Sequence, residues 1–228
     1  MVGILRQTAL LLWKDVLVEL RAKELVYATL LFASIVLLVF AFAFLGGERP
    51  AADVSAGVLW VAIALAGTVG ISRAFERERE GDTLRAMLLA PISRSSLYLS
   101  KLATICLLMV LVEVVAVFGV GLLFGAAVFA AGLRLPLLLF LGTTGFGAVA
   151  ALFGASLGRA RAREVLLPLL VYPIAIPVLI AGTRGTAALL TGDTLDVSAF
   201  WIKFLLVFDA VFVSLGLWVF EPLVRGEA

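Results

Sequence analysis

Val26-Tyr-Ala-Thr-Leu-Leu-Phe-Ala-Ser-Ile-Val-Leu-Leu-Val-Phe-Ala-Phe-Ala-Phe-Leu45 runs for 20 residues without a charge. A helix rises about 1.5 Å per residue, so about 20 mainly apolar residues cross a hydrocarbon core about 30 Å thick. The run is continuous rather than alternating, which selects a helix over a barrel strand, and in lipid a helix satisfies its own backbone groups. The same signature returns five times, at Val54–Phe75, Leu97–Ala131, Leu135–Leu157, Val165–Gly182 and Ala199–Phe220, each bounded by charge, Gly or Pro. The expected fold is an all-α integral membrane protein. It comprises six transmembrane helices in one domain over residues 1–228, preceded by an amphipathic interfacial helix over residues 1–25.

Composition agrees. Of 228 residues 63% are apolar and 15% charged, against roughly 45–50% apolar for a soluble globular domain. A soluble enzyme, a disordered chain and a nucleic-acid-binding domain are excluded on that basis. The chain has no His and one Cys, Cys106, so His-based catalysis, a His-ligated metal or haem, CxxC redox chemistry and a disulfide within the chain are excluded too. No metal site is expected, and no catalytic residue.

The third run is too long for one perpendicular span. Its Gly119, Gly121, Gly125 and Gly132 leave three alternatives: a tilt, a kink, or a short re-entrant break near the far end. The fifth run carries Pro168, Pro173 and Pro177, each of which removes a backbone donor and disturbs the preceding turn, so a bent or partly unwound span is expected. A bend there serves either packing or movement.

Lys and Arg in short connections set orientation. Fourteen of the 18 fall on one side: Arg6, Lys14, Arg21 and Lys23; Arg73, Arg77, Arg79, Arg85, Arg94 and Lys101; Arg159, Arg161 and Arg163; and Arg225. Arg49, Arg134, Arg184 and Lys203 fall on the other. Both termini are therefore expected in the cytoplasm, with the chain in the cytoplasmic membrane. Charges at Arg6, Lys14, Asp15, Glu19, Arg21 and Lys23 interrupt any signal-peptide core. As a helix, Arg6, Lys14 and Arg21 fall within about 80° of one another, beside a stripe of Leu5, Leu12, Val16 and Leu20. Such a segment lies along the membrane surface; the alternative is a plain extension of span one.

The connection Arg73–Lys101 is the most informative stretch. Arg73-Ala-Phe-Glu76-Arg77-Glu78-Arg79-Glu80 reads as span two continuing out of the membrane with i,i+3 and i,i+4 charge pairs. Gly81 breaks that helix and Asp82 is a good N-cap. Thr83-Leu-Arg-Ala-Met-Leu-Leu-Ala90 then gives about two turns carrying Leu84, Met87 and Leu88, stopped by Pro91, and Ser93 caps span three. A helix this short is unstable alone. It packs either on the protein's own underside or in a cleft of a cytosolic partner, as the coupling helices of ATP-driven permeases do.

Glu113 and Asp209 lie mid-run in spans three and six. A charge at the bilayer centre costs a few kcal/mol or more, so each acid faces the bundle interior, a polar cavity or a partner, or is protonated. Two readings stay open: a latch or lining of a transport path, and a neutral acid bonded to a neighbouring helix. Gly121-x-x-x-Gly125 and Gly154-x-x-x-Gly158 allow close helix approach, within the chain or between two copies in a homodimer.

The run Gly57-Val-Leu-Trp60, then Arg73-Ala-Phe75 with its acids, Thr83-Leu84, Leu89 and Pro91, and later Tyr172-Pro173-Ile-Ala-Ile-Pro177, resembles the heme exporter protein B (CcmB) family over nearly the full length. The family places Gly directly before the Ser or Thr, whereas Asp82 here separates Gly81 from Thr83. The resemblance implies a permease subunit of an ABC-type haem exporter needed for c-type cytochrome biogenesis. It implies as partners a cytosolic ATPase subunit, a haem-handling membrane subunit and a small helper. ATP binding falls to the ATPase, since this sequence holds no GxxxxGK[ST] loop. With no His in the chain, haem ligation is assigned to the partner; Met109, Cys106 and Tyr172 remain as side chains able to ligate, with nothing in their spacing to support it.

On this reading Glu76, Glu80, Gly81, Asp82, Thr83, Leu84, Met87, Leu88 and Pro91 form the ATPase-coupling segment. The alternatives are a permease of the same architecture for a lipid or drug, and an ion-coupled transporter using Glu113 and Asp209. A membrane-embedded enzyme needs a cluster of catalytic groups around those acids, and the sequence offers none.

Overall fold

In the computed structural model, residues 3–44, 51–80, 92–157, 163–192 and 195–225 are described. Among them the chain forms seven α-helices and one 3-10 turn, and six of the helices are long and apolar enough to cross a membrane. Helix α1 spans Ile4–Ala22 and α2 spans Glu24–Phe44. Lys23 between them has φ 55°, and its N–H donates to the Glu19 carbonyl at 2.8 Å. A left-handed Lys costs about 1 kcal/mol or more, and it turns the chain within a single residue. The amphipathic segment therefore ends at Ala22, and the first span begins at Glu24 rather than Val26.

Helix α3 runs Ala51–Glu80, although only Val54–Ser72 is apolar enough to be membrane-crossing. The helix thus continues eight residues past its span, as expected from the sequence of 73–80. Helix α4, Arg94–Phe124, opens with Ser93 accepting from the Ser96 N–H at 3.2 Å, the cap expected from the sequence. At about 46 Å it exceeds the hydrocarbon thickness by about half. It ends at Gly125, which has φ 65°, and a 3-10 turn at Val128–Ala131 and Gly132 at φ 58° follow. The long run is thus interrupted near its far end, after Phe124. Gly125 accordingly lies outside the helix with nothing near the place a Cβ would take, and Gly121 packs on Val128 of the turn. Within the chain, that glycine pair marks the end of a helix rather than a contact between two helices. Gly158 of the other pair lies outside the described residues.

Helix α5 spans Arg134–Ser156, α6 spans Arg163–Thr191 and α7 spans Leu195–Arg225. Of the two expectations for the span with Pro168, Pro173 and Pro177, bent or partly unwound, the unwinding does not occur: α6 is unbroken through all three and extends nine residues past Gly182. Each proline removes one backbone bond, while the buried stripe Leu167, Val171, Ala175, Val178 and Ala181 keeps helical spacing and fixes the helix on its neighbours. Pro173 lies off the stripe and is exposed.

The core forms around α3 and α5, the most buried spans, with α7 the least buried. Helix α3 packs on α2, α4 and α6; α5 packs on α4, α6 and α7; α1 lies against α4. The large apolar side chains left outside, among them Phe42, Leu122 and Trp218, are what a lipid-facing surface carries.

Candidate functional site

Three arrangements inside the bundle hold its polar and close-packed residues. The first joins α3 to α5 and α6. Trp60 is 2% exposed, and its indole occupies the space where a Cβ on Gly142 of α5 or Gly182 of α6 would stand. Its Nε1 donates to Thr186 Oγ1 at 2.9 Å, which satisfies the one polar atom of a buried indole. Nearer the α3 extension, Thr68 donates to the Tyr172 hydroxyl at 3.1 Å. A small apolar cleft opens beside this bond, lined by Ile71, Phe146, Leu167 and Pro168 among others.

The second arrangement contains the intramembrane acids. Glu113 on α4 is 6% exposed and accepts a hydrogen bond from Thr143 Oγ1 on α5. Asp209 on α7 is 8% exposed, and neither carboxylate oxygen has a hydrogen-bond partner among the described residues. Its Oδ1 rests on Gly145, where a Cβ would stand 2.7 Å away, with Phe208 and Val178 beside it. Thr143 and Gly145 are two residues apart on α5, so this helix separates the two acids and receives both. Each faces the bundle interior, and the hydroxyl that accompanies Glu113 had no sequence signal apart from a Thr pair inside an apolar run.

The third lies between α1 and α4. Lys101 donates to Asp15 Oδ2 at 3.0 Å, Lys14 pairs with Asp15 Oδ1 at 2.6 Å, and Thr104 donates to Oδ2 at 3.3 Å. Burial pushes the Asp15 carboxyl up, but the charges and hydrogen bonds of Lys101 and Lys14 outweigh it and hold the group below the usual carboxylate range. Two turns earlier, Gln7 Oε1 accepts from the Ser93 N–H and from Ser96 Oγ, and Ser96 Oγ donates to the Ile4 carbonyl. Sequence reasoning missed this seam because Asp15 and Lys101 lie 86 positions apart.

Of the residues expected in the coupling segment, Glu76 and Glu80 lie on the helical extension of α3. Gly81, Asp82, Thr83, Leu84, Met87, Leu88 and Pro91 lie outside the described residues. Of the three side chains left for haem ligation, Met109 is buried against Gly67 of α3, Cys106 is half-buried on α4, and Tyr172 on α6 is bonded to Thr68.

No curated protein matches the chain. The model of the CcmB protein family matches residues 6–225, from the first turns of α1 to the end of α7. The chain therefore belongs to the CcmB family, a multi-pass inner-membrane permease subunit of an ABC-type haem exporter for cytochrome c maturation, working with an ABC ATPase and other maturation components.

Proposed function

We propose that this chain converts ATP hydrolysis in a cytosolic partner into rearrangement of its own spans, through the connection that follows α3 and precedes α4. The observation that carries the proposal is the continuity of α3, which leaves its apolar window at Ser72 and stays helical to Glu80. A force on residues 81–91 thereby reaches two spans that already touch, since Gly67 and Gly70 of α3 pack on Met109 and Leu108 of α4. Leu84, Met87 and Leu88 fill a groove of the ATPase, and Glu76 and Glu80 meet basic groups on its rim. Fourteen of 18 basic residues lie on the side of this connection, which supports cytoplasmic termini and a cytoplasmic docking segment.

Haem is the substrate, and its iron is held by a partner: this chain offers no His to serve as an axial ligand. Leu84→Asp or Leu88→Asp is expected to abolish co-purification with the ATPase. Retained binding by both variants overturns the docking role. Loss of haem-stained c-type cytochromes after deletion of the gene separates haem from a lipid or drug as the cargo served.

A further inference from the structure

Helix α1 presents three distinct sides. At about 100° per residue, Gln7, Leu11 and Asp15 form the side turned to α4, where they are held by the bonds of the seam. Leu5, Ala9 and Trp13 form the side turned away, with Leu5 81% and Trp13 62% exposed. Arg6, Leu10 and Arg21 form the third side and are all exposed, as is Lys23 at the corner. Asp15, the acid nearest the middle of the helix, is turned inward and matched by two lysines. Glu19, the other acid of α1, is half-buried with its Oε1 shielded from solvent, so the fully exposed charge of α1 is basic, with Glu24 the exposed acid beyond the corner.

We propose that the outer sides of α1 form a binding surface for anionic phospholipid, independent of which cargo the complex handles. Trp13 and Leu5 enter the acyl boundary, and Arg6, Arg21 and Lys23 meet headgroup phosphates. A Trp ring is suited to that boundary, and a helix with adjacent apolar and basic sides binds an anionic leaflet more tightly than a neutral one. The arrangement does not suit free solution, where the apolar side has no cover. A partner protein would have to match both sides at once with an apolar and an acidic strip, whereas anionic lipid supplies both in one molecule. Because Asp15 and Gln7 fix α1 on the first turns of α4, a headgroup held by α1 also bears on a span adjoining the coupling connection.

The test uses the full chain in phosphatidylcholine nanodiscs containing a minority of either brominated phosphatidylglycerol or brominated phosphatidylcholine. Bromine quenches tryptophan on contact, and the Trp13 signal is the difference between the parent chain and Trp13→Phe. Phosphatidylglycerol is expected to reach half-quenching at a lipid fraction at least about fivefold lower, the preference one surface cation confers. A variant combining Arg6→Gln, Arg21→Gln and Lys23→Gln should lose this preference and keep quenching by brominated phosphatidylcholine, which also shows that α1 stays in place. Equal quenching of the parent chain by the two lipids overturns the selection for anionic headgroups. Absence of quenching by both overturns the lipid contact itself and assigns the face to protein or water.

Discussion

Where α3 meets α5 and α6, an indole occupies the space left by two missing Cβ atoms and makes a single hydrogen bond. Where α1 meets α4, contact is made by charge and amide, with Asp15 between Lys14 and Lys101 and Gln7 between Ser93 and Ser96. The difference follows from what each contact must exclude. In lipid there is no hydrophobic force between helices, so a joint between spans depends on close packing of shape, and small residues opposite a large one supply it. Near the membrane edge, polar groups remain available and can exchange partners with water or headgroups. The first contact is suited to a fixed point of the bundle. The second is suited to an element that changes its hold.

The widest break in this comparison should come from Trp60. Replacing it with Ala removes a buried aromatic and leaves Thr186 without its donor, at a cost of about 3–5 kcal/mol, read as earlier thermal unfolding in detergent. Gly142→Ala forces a methyl into the ring and should cost about 1–3 kcal/mol. Combining Gly142→Ala with Trp60→Phe should recover part of that loss, because the smaller ring vacates the site. If Gly142→Ala and Trp60→Ala add without coupling, the two residues do not form one joint.

The seam should respond to charge rather than volume. Asp15→Ala leaves Lys101 buried without the carboxylate that faces it, at a cost of about 3 kcal/mol, whereas Asp15→Asn with Lys101→Met should restore much of the docking. The pH dependence has a definite sign. A carboxyl held below its ordinary value of 3.8 contributes stability that is fully present above about pH 4 and is lost as pH falls through the lower folded value. Protease protection of α1 should accordingly be flat from about pH 6 to 8 and fall only in strong acid. A loss of protection near neutral pH would show that another group holds the seam.

The six spans were legible because hydrocarbon thickness imposes length, and length with apolarity is a one-dimensional property. Helix ends were legible where a side chain acts locally, as with Ser93, whose cap lies three residues from its donor. At Pro168–Pro177 the local rule counts the lost donors but does not see the buried stripe from Leu167 to Ala181, along which the helix stays unbroken. Glu113 and Asp209 were identifiable as costly residues, but their surroundings depend on contacts 30 or more positions away, with Thr143 and with Gly145. Trp60 stood out in the sequence only through the family resemblance; its socket depends on glycines in two other helices.

The finest test compares the two acids, one with a donor and one without. Thr143→Val removes the hydroxyl from Glu113 and keeps the side-chain shape, so it should cost about 0.6 kcal/mol and at most about 2, the range for hydrogen bonds between membrane helices. Asp209→Asn changes a buried group with no hydrogen-bond partner among the described residues, so it breaks no such bond and should shift thermal stability less than Thr143→Val does. The amide is nearly isosteric and cannot ionise. If Asp209 acts as a latch or path lining that gains and loses a proton, Asp209→Asn keeps stability and loses cytochrome maturation; Glu113→Gln, which preserves the acceptor for Thr143, makes the same separation on α4. Full maturation in both variants removes proton exchange from the transport cycle and leaves the acids as neutral packing groups. Loss in Asp209→Asn alone assigns the working group to α7, the least buried span, where movement displaces the fewest neighbours.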